Sequence, residues 1–254
     1  MSDSTLKKSN EISNKEQTQT DLQSTWIVSY VHKNLTKNDK KDIASWSTAI
    51  RNIASFNQLE QAKYVFSEIP KPSQWPINSN LGVFREGIRP VWEDPMNSDG
   101  GRICIKIECD IDDEGIISLP SYGSESKRSL VGNKIDNASK EEVHKALSEA
   151  IDKLFENLLL YVICESFPEF PDIVNVIVFS PRRMNPRINI WMRGDHCFAN
   201  KRHEFEQKYT EFLNENKLLT FRVNDGVERS LRTVINYGKL DDPDTNTKGN
   251  RNRH

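Results

Sequence analysis

The sequence predicts an α+β fold in which helices back one face of a largely antiparallel sheet. Three observations lead to this prediction. Several short segments are rich in β-branched and aromatic residues, as strands are. Three longer segments carry apolar residues at helical spacing. Several strands are joined by short links, which favour antiparallel neighbours because parallel neighbours need a long crossover.

The predicted strands are short and lie along most of the chain. They are WIVSYVHK (26–33), RICIKIEC (102–109), VNVIVFS (174–180), RINIWMR (187–193) and TFRV (220–223), the last of which is expected to close the sheet. In RICIKIEC the isoleucines alternate with Arg102 and Lys106. Successive side chains of a strand point to opposite faces, so these two cations are expected on the face opposite the isoleucines.

The three predicted helices have apolar residues on one side. The first follows Asn57 and Glu60, which resemble a capping box, and prolines at 70 and 72 end it. The second, about 140–166, begins at a capping box formed by Ser139 and Glu142, and the third spans about 200–216. The inward residues are predicted to be Leu59, Ala62 and Phe66; Leu147, Ile151, Leu154, Phe155, Leu158 and Val162; and Phe205, Tyr209, Phe212 and Leu213.

Composition bounds the domain organisation. The 254 residues are 36% hydrophobic and 28% charged, with a net charge of −2, so the chain can bury a core but has no global basic field. We expect one domain at 25–240, between a disordered tail at 1–24 and a flexible tail at 241–254. Residues 110–138 are rich in Asp, Gly, Ser and Lys and predict a surface loop or a disordered insertion. Neither a signal peptide nor a membrane span is expected.

The cysteines and histidines do not form a familiar chemical motif. The four cysteines, at 104, 109, 164 and 197, include no CxxC pair, which favours reduced thiols in an intracellular protein. His196, Cys197 and His203 lie close together but lack a second pair of ligands, so no metal site is predicted. No HExxH, GxSxG or P-loop motif is present, and we therefore expect neither an enzyme nor a cofactor.

The segment RPVWEDP (89–95) places Trp92 beside Glu93 between two prolines. The prolines predict a stiff, extended segment that fixes the ring relative to the carboxylate. A tryptophan by itself is usually part of the core. Next to a fixed carboxylate, it would also suit a site that stacks a planar ligand and accepts its N–H groups.

A second tryptophan lies on the strand RINIWMR, on the face away from the helices. The residues sharing that face are Arg187, Asn189, Trp191 and Arg193, and Arg182 and Arg183 precede the strand. A cluster of arginines is usually a solvated basic edge. Arginines interleaved with tryptophan on one open face are also typical of a site for phosphate and a base.

The run FREGIRPVWEDPMNSDGGR (84–102) resembles the signature of the eukaryotic translation initiation factor 4E family, the mRNA cap-binding proteins. The resemblance continues in Trp46 with Arg51, Ile53 and Phe56, in DKLFENLLLYVICESF (152–167) and in INIW (188–191), and covers about 26–250. It implies a curved antiparallel sheet of about eight strands with three helices on its convex face.

The resemblance also implies a binding site. The 7-methylguanosine cap would be stacked between Trp46 and Trp92. Glu93 would accept hydrogen bonds from the N1–H and the exocyclic amine of the base, while the backbone N–H of Trp92 would donate to O6. Trp191 would touch the methyl group. The implied phosphate-binding residues are Arg102, Arg182 and Arg187.

The sequence departs from the family pattern at two places. Met184 replaces a phosphate-binding lysine, with Arg183 beside it as a substitute. On the convex face, Lys63 and Glu156 replace a tryptophan and a leucine that grip a partner helix of the Tyr-x4-Leu-apolar type. Such apolar anchors are typically worth about 2 kcal/mol or more each. We therefore predict an altered partner surface consisting of Leu59, Lys63, Glu156 and Leu160.

The predicted function is cytoplasmic binding of the mRNA cap in translation initiation or its regulation. The predicted partners are capped mRNA and a scaffold or repressor protein bound by a non-standard contact, and no membrane is involved. Because Lys63 and Glu156 oppose scaffold binding, a specialised or repressive role is favoured over an ordinary initiation role. The alternative is an interaction protein of the same fold that has lost cap binding.

Overall fold

The computed structural model of the chain describes residues 19–32, 49–111, 117–118, 139–170, 172–194, 202–222, 228–231 and 233–239. The strands of the main sheet are β1 (Asp21–His32), β2 (Arg51–Gln58), β3 (Ser79–Arg85), β4 (Gly101–Ile107), β7 (Val174–Ser180), β8 (Arg187–Met192) and β11 (Thr233–Lys239). Two small sheets pair β5 (Asp110–Ile111) with β6 (Ile117–Ser118) and β9 (Thr220–Arg222) with β10 (Glu228–Ser230). The helices are α1 (Leu59–Glu68), α2 (Lys140–Ile163) and α3 (Arg202–Glu215), with a short 3₁₀ helix at Pro72–Gln74.

The main sheet has the strand order β11-β4-β8-β7-β3-β1-β2, and all of its neighbouring strands are antiparallel. The predicted α+β class is therefore confirmed. Among the described residues the main sheet has seven strands, where about eight were expected. TFRV does not close this sheet: the three-residue β9 pairs with β10, and the seven-residue β11 occupies the edge beside β4. The seven-residue β11 pairs along the whole of β4, which the three-residue β9 is too short to do.

The core lies between one face of the main sheet and the helices. The isoleucines of β4 and β8 point into it, as the alternation predicted, and α2 contributes its predicted inward side chains. All of these are at most 5% exposed: Ile103, Ile105, Ile107, Ile188, Ile190, Leu147, Ile151, Leu154, Phe155, Leu158 and Val162. Burying an apolar side chain of this size is worth about 1.5–3 kcal/mol relative to leaving it in water. The core therefore fixes which face of β4 and β8 remains available for a ligand.

The two predicted capping boxes have different outcomes. At α2, the Glu142 N–H donates to Ser139 Oγ at 3.2 Å and the Ser139 N–H donates to Glu142 Oε2 at 2.9 Å, which confirms the box. At α1, the predicted box is wrong because Asn57 still belongs to β2. Its N–H donates to Gln61 Oε1 at 3.1 Å, while Glu60 accepts the N–H of Thr20 at 2.9 Å.

The ends of the domain differ from the expected boundaries. Strand β1 begins at Asp21, so it includes residues 21–24 that the sequence assigned to the tail. The start of α1 binds this polar segment: the Leu59 N–H donates to Thr20 O at 2.9 Å and Gln58 Nε2 donates to Asp21 Oδ1 at 3.1 Å. Residues 1–18, 119–138, 196–197 and 240–254 lie outside the described residues. Within the described ranges, no helix is both long and apolar enough to cross a bilayer.

Candidate nucleic-acid interface

The face of the main sheet away from the helices is called the open face here. Residues directly opposite on neighbouring strands share a face. Strands β4 and β8 therefore place Arg102 beside Trp191 and Lys106 beside Arg187 on the open face. Cys104 lies between the two pairs and is buried. Burial raises the pKa of its thiol, while the charges of Arg102, Arg187 and Lys106 act in the opposite direction, so three cations surround this position.

Arg182 lies just beyond the end of β7 and is fixed by hydrogen bonds. Its Nη1 donates to the carbonyl oxygens of Ser79 and Pro181, both at 2.8 Å, and its Nη2 donates to Asn80 Oδ1 at 2.7 Å. Burial, and secondly the charge of Arg187, lower the pKa of Arg182 to about 10, so the side chain stays charged at neutral pH. A guanidinium has about five N–H donors, so these bonds leave others for a ligand.

The loop between β3 and β4 carries Trp92 and Glu93, and it is a succession of turns. The Asp94 N–H donates to Val91 O at 3.2 Å, and the Asn97 N–H donates to Asp94 O at 2.8 Å. The expectation of an extended segment is therefore wrong. Proline fixes φ near −65°, a value that turns use as well as extended chain, so the two prolines could not distinguish these conformations.

Asp94 stabilises this loop from within. Its carboxylate is 6% exposed and accepts the backbone N–H groups of Arg89 at 3.1 Å and Met96 at 3.0 Å. Burial acts to raise its pKa, but these bonds and the Arg89 side chain together lower it below the ordinary value. The charged form of Asp94 therefore ties the two sides of the loop together around Trp92.

Two buried amides attach the loop to the sheet. Asn97 Nδ2 donates to Arg89 O at 3.0 Å and to Val91 O at 2.9 Å. Asn175, on β7, donates through Nδ2 to Met96 O at 2.9 Å and to Asn97 Oδ1 at 3.0 Å. Both asparagines are fully buried. Buried amides that lose their partners are costly, so this pair holds the backbone on both sides of Trp92 and Glu93 in one conformation.

A close backbone contact joins the end of the loop to the end of β8. A side chain at Gly194 would place its Cβ 1.7 Å from Ser98 O, and one at Gly100 would place it 2.2 Å from Met192 O. Only glycine fits at these two positions without moving the backbone. The loop that carries Trp92 is therefore packed directly against the strand that carries Trp191.

Trp92 and Glu93 present contrasting environments side by side. Trp92 is 52% exposed, although large aromatic side chains are highly buried on average. Glu93 is half-buried, and its Oε1 is buried with no hydrogen-bond partner among the described residues. A buried polar atom without a partner costs about 1–3 kcal/mol. A planar ligand that stacks on the ring and donates N–H groups to the carboxylate would satisfy both side chains.

An open cavity of about 560 Å³ adjoins the loop. One of its walls is formed by residues 87–91, immediately before Trp92, and another by residues 50–52 at the start of β2. Its volume lies within the range of ligand sites, about 300–1,000 Å³. Trp46 lies outside the described residues, although Ile50, four positions after it, lines the cavity.

The predicted partner surface lies on α1 and α2 and consists of Leu59, Lys63, Glu156 and Leu160. Lys63 is exposed, and Leu160 is 41% exposed. Glu156 forms an ion pair with Lys71, which follows the end of α1. Burial raises the pKa of the Cys164 thiol just after α2, and the charge of Lys63 on α1 acts in the opposite direction, so α1 adjoins the end of α2 at this point.

The sequence singled out the side chains predicted to contact a ligand but not those that hold the loop. Asp94, Asn97 and Asn175 carried no recognisable motif, and Asn97 and Asn175 are 78 positions apart. The position of Lys106 on the open face could be predicted from the sequence, because its alternation with the isoleucines of β4 places it on the same face as Arg102.

Comparison with known proteins identifies the fold and the family. Residues 21–234 match the family model of eukaryotic initiation factor 4E. The eukaryotic translation initiation factor 4E of Eremothecium gossypii is 28% identical over 173 residues, which make up 68% of this chain and 62% of the relative. The chain thus spans about three fifths of the length of this and two further curated relatives.

Two solved structures share the fold at low sequence identity. A complex of C. elegans eIF4E-3 with the 4E-binding protein Mextli and a cap analog has a TM-score of 0.55 and 17% identity, covering 87% of this chain and 93% of the other. A complex of Ascaris suum eIF4E-3 with the m2,2,7G cap has a TM-score of 0.54 and 17% identity, covering 85% and 98%. Together with the family match over residues 21–234, these observations show that the chain belongs to the eukaryotic initiation factor 4E family.

Proposed function

We propose that this protein binds the 7-methylguanosine cap of mRNA in the cytoplasm and acts in translation initiation or its regulation, as a binding protein and not an enzyme. The observation that carries the proposal is the exposed Trp92 beside the buried, unpartnered Oε1 of Glu93, on a loop fixed by Asn97 and Asn175. The C. elegans and Ascaris suum relatives were solved with cap ligands, which supports the same ligand class here.

The base is stacked on Trp92, with Trp46 as the second ring of the sandwich. Methylation at N7 gives the guanine ring a positive charge, so stacking on the electron-rich face of tryptophan gains a cation–π contribution of about 0.5–2 kcal/mol. The exposure of Trp92 leaves its ring accessible to this contact. The cavity bounded by residues 50–52 and 87–91 provides space beside the ring.

Glu93 reads the edge of the base. Its carboxylate accepts the N1–H and the exocyclic amine, and the backbone N–H of Trp92 donates to O6. Hydrogen bonds between a carboxylate and a cationic base are roughly twice as strong as neutral ones. Because Oε1 is already buried and unpartnered, binding removes an existing penalty.

The phosphates follow the open face away from the base. Trp191 touches the methyl group, and the phosphate-binding residues are Arg102, Arg182 and Arg187. The register that pairs Arg102 with Trp191 supports a site in which base and phosphate contacts adjoin. The hydrogen bonds of Arg182 to Ser79 and Asn80 fix its guanidinium before a ligand arrives, which reduces the entropy lost on binding.

The test is Glu93→Gln, compared with the matched change Glu86→Gln at an exposed position of the same loop. Glu93→Gln should weaken 7-methyl-GMP by about 1.5–3 kcal/mol, the usual worth of a hydrogen bond to a charged group. GMP should lose less because its base is neutral, and Glu86→Gln should change neither affinity. Titration followed by tryptophan fluorescence gives all six constants.

Two results would contradict the proposal in different ways. Equal losses for 7-methyl-GMP and GMP would mean that Glu93 does not contact the base. A wild-type protein that binds neither nucleotide would favour the alternative of an interaction protein that keeps the fold and has lost cap binding.

We also propose that its protein partner uses a non-standard contact on α1 and α2. The C. elegans relative was solved with a 4E-binding protein, which supports a partner of that general kind. Lys63 and the ion pair between Glu156 and Lys71 place charges among the exposed apolar side chains Tyr64 and Leu160. A partner for this surface must therefore offer complementary polar groups.

A further inference from the structure

The open face concentrates cations at one end. Lys106 and Arg187 are direct cross-strand neighbours on β4 and β8. Like charges in this relation repel each other and destabilise a sheet. The other direct neighbour of Lys106 is Val234 on β11, and within the described residues no carboxylate forms an ion pair with Lys106. Among the described residues, no acid therefore pairs with Lys106 to offset this repulsion.

A third cation adjoins this pair. Ser180, on β7, lies opposite Arg187, and its Oγ donates to Asn80 Oδ1 at 2.7 Å. The same oxygen accepts Nη2 of Arg182, also at 2.7 Å. Arg187 in turn acts electrostatically on Arg182. Lys106, Arg187 and Arg182 therefore form one row across three neighbouring strands and their connection, here called the cation row.

The cation row lies away from the base-stacking side chains. Lys106 is four residues from Arg102 along β4, as Arg187 is from Trp191 along β8, which corresponds to about 13 Å at 3.3 Å per residue. This separation is too great for contact with the methyl group or the base edge. It suits the outer part of a phosphate chain whose inner part passes Arg102.

We propose that Lys106 is a phosphate-binding residue of this site and contacts the far end of the cap's triphosphate bridge. The inference rests on the proposed function, because it takes the base end of the ligand from Trp92 and Glu93. An anion bound between Lys106 and Arg187 converts their repulsion into two attractive contacts. Lys106 also supplies a cation on a strand, whereas Met184, in the β7–β8 link where the family pattern has a lysine, is 65% exposed and carries no charge.

The test compares ligands that differ only in phosphate number. The full chain, Lys106→Ala and Lys106→Arg are titrated with 7-methyl-GMP and 7-methyl-GTP at low and raised ionic strength. Lys106→Ala should weaken 7-methyl-GTP roughly two- to tenfold and 7-methyl-GMP less than about twofold, the scale of one partly exposed charge contact. Lys106→Arg should retain binding. The salt dependence for 7-methyl-GTP should become shallower in Lys106→Ala, because one fewer charge contact is screened.

A matched control separates this contact from a general change of charge. Lys153→Ala removes a cation from an exposed position on α2 and should leave both affinities unchanged. The melting temperature of ligand-free Lys106→Ala should be no lower than that of the wild type, since the change relieves repulsion with Arg187. A lower melting temperature together with equal losses for both ligands would make Lys106 a structural residue and overturn the proposal.

The remaining outcomes distinguish the two proposals. If the wild type prefers 7-methyl-GMP over GMP but Lys106→Ala binds 7-methyl-GTP like the wild type, the Lys106 contact is wrong and cap binding stands. If the wild type binds no 7-methylated nucleotide, the proposed function is overturned and the Lys106 contact with it.

Discussion

The open face and the outer surface of the helices handle charge in opposite ways. On the helix side of the molecule, three ion pairs form among the described residues: Glu156 with Lys71, Glu169 with Lys208, and Glu149 with Lys145. On the open face, Lys106 faces Arg187 across the strand boundary, and Arg182 lies beside them. A surface that neutralises its own charges needs no ligand, whereas a cluster of one sign is stabilised by an anion.

The two surfaces also differ in rigidity. Trp92 and Glu93 stand on a loop fixed by buried hydrogen bonds of Asp94, Asn97 and Asn175. The partner surface is held by the exposed pair of Glu156 and Lys71, and exposed pairs are worth only about 0–1 kcal/mol. The loop proposed to bind the base is thus fixed before a ligand arrives, while the proposed partner surface can change its side chains at little cost to the fold.

The largest effect is expected when the two charged residues of the partner surface are replaced by apolar ones. Lys63→Trp combined with Glu156→Leu should create binding of a Tyr-x4-Leu-apolar peptide, which the wild type should not bind measurably at micromolar concentration. Two apolar anchors contribute about 2 kcal/mol or more each, while burying an unpaired charge costs several kcal/mol. Calorimetry of both proteins with one such peptide measures the difference.

A control with the same residue types excludes non-specific stickiness. Lys153→Trp with Glu149→Leu makes equivalent changes at exposed positions of α2 outside this surface and should create no binding. Tight peptide binding by the wild type would contradict the altered partner surface and favour an ordinary initiation role.

The second effect concerns the loop. Asn97→Ala should lower the free energy of unfolding by about 1.5–4.5 kcal/mol, because it removes three hydrogen bonds at about 0.5–1.5 kcal/mol each. Two are those that Asn97 Nδ2 donates to Arg89 O and Val91 O, and the third is the one that Asn97 Oδ1 accepts from Asn175 Nδ2. Urea denaturation measures the loss. Asn157→Ala, which removes only a bond to Lys153 O within α2, should change stability by less than about 0.5 kcal/mol. A similar loss of unfolding free energy in both variants would mean that the hydrogen bonds of Asn97 do not hold the loop rigid.

The third effect separates stacking from packing. Trp92→Ala and Trp46→Ala should each weaken 7-methyl-GTP by about 1–3 kcal/mol, the usual worth of one base stack. Trp75→Ala is the control, since that ring packs 4.9 Å from the ring of Tyr30 and its Nε1 donates to Pro70 O at 2.8 Å. It should reduce stability and leave cap affinity unchanged. If Trp92→Ala and Trp46→Ala both bind 7-methyl-GTP with wild-type affinity, the base is not stacked between these two rings.

The strands that sequence reasoning missed lack a clean alternation. Strand β3 is buried on both faces along nearly its whole length, so its pattern SNLGVFR shows no period of two. Strand β2, at the edge, is mostly exposed and polar. Its last residues, Asn57 and Gln58, resemble the polar residues that begin a helix, which led to the wrong capping box. By contrast, the alternation of β4 and the capping box at Ser139 were predictable because local chemistry alone determines them.

The residues of the candidate site likewise include some that the sequence could predict and some that it could not. Trp92, Glu93 and the arginines could be proposed from the sequence because each has a side chain suited to the expected ligand and a matching position in the family motif. The bond between Asn97 and Asn175 joins a loop to a distant strand, and no pattern along the chain encodes that contact. The turn conformation around Trp92 depends on the same tertiary bonds, which explains why the prolines alone predicted an extended segment.

The most direct test of the account is titration of the full chain with 7-methyl-GTP and with GTP, followed by tryptophan fluorescence. Cation–π stacking acts on the methylated base alone, and the bond to Glu93 is stronger with that base because it is cationic. Fluorescence should therefore be quenched with at least about a tenfold preference for 7-methyl-GTP, or about 1.4 kcal/mol. Equal affinity for the two nucleotides, or no binding of either, would contradict a cap site built from Trp92 and Glu93.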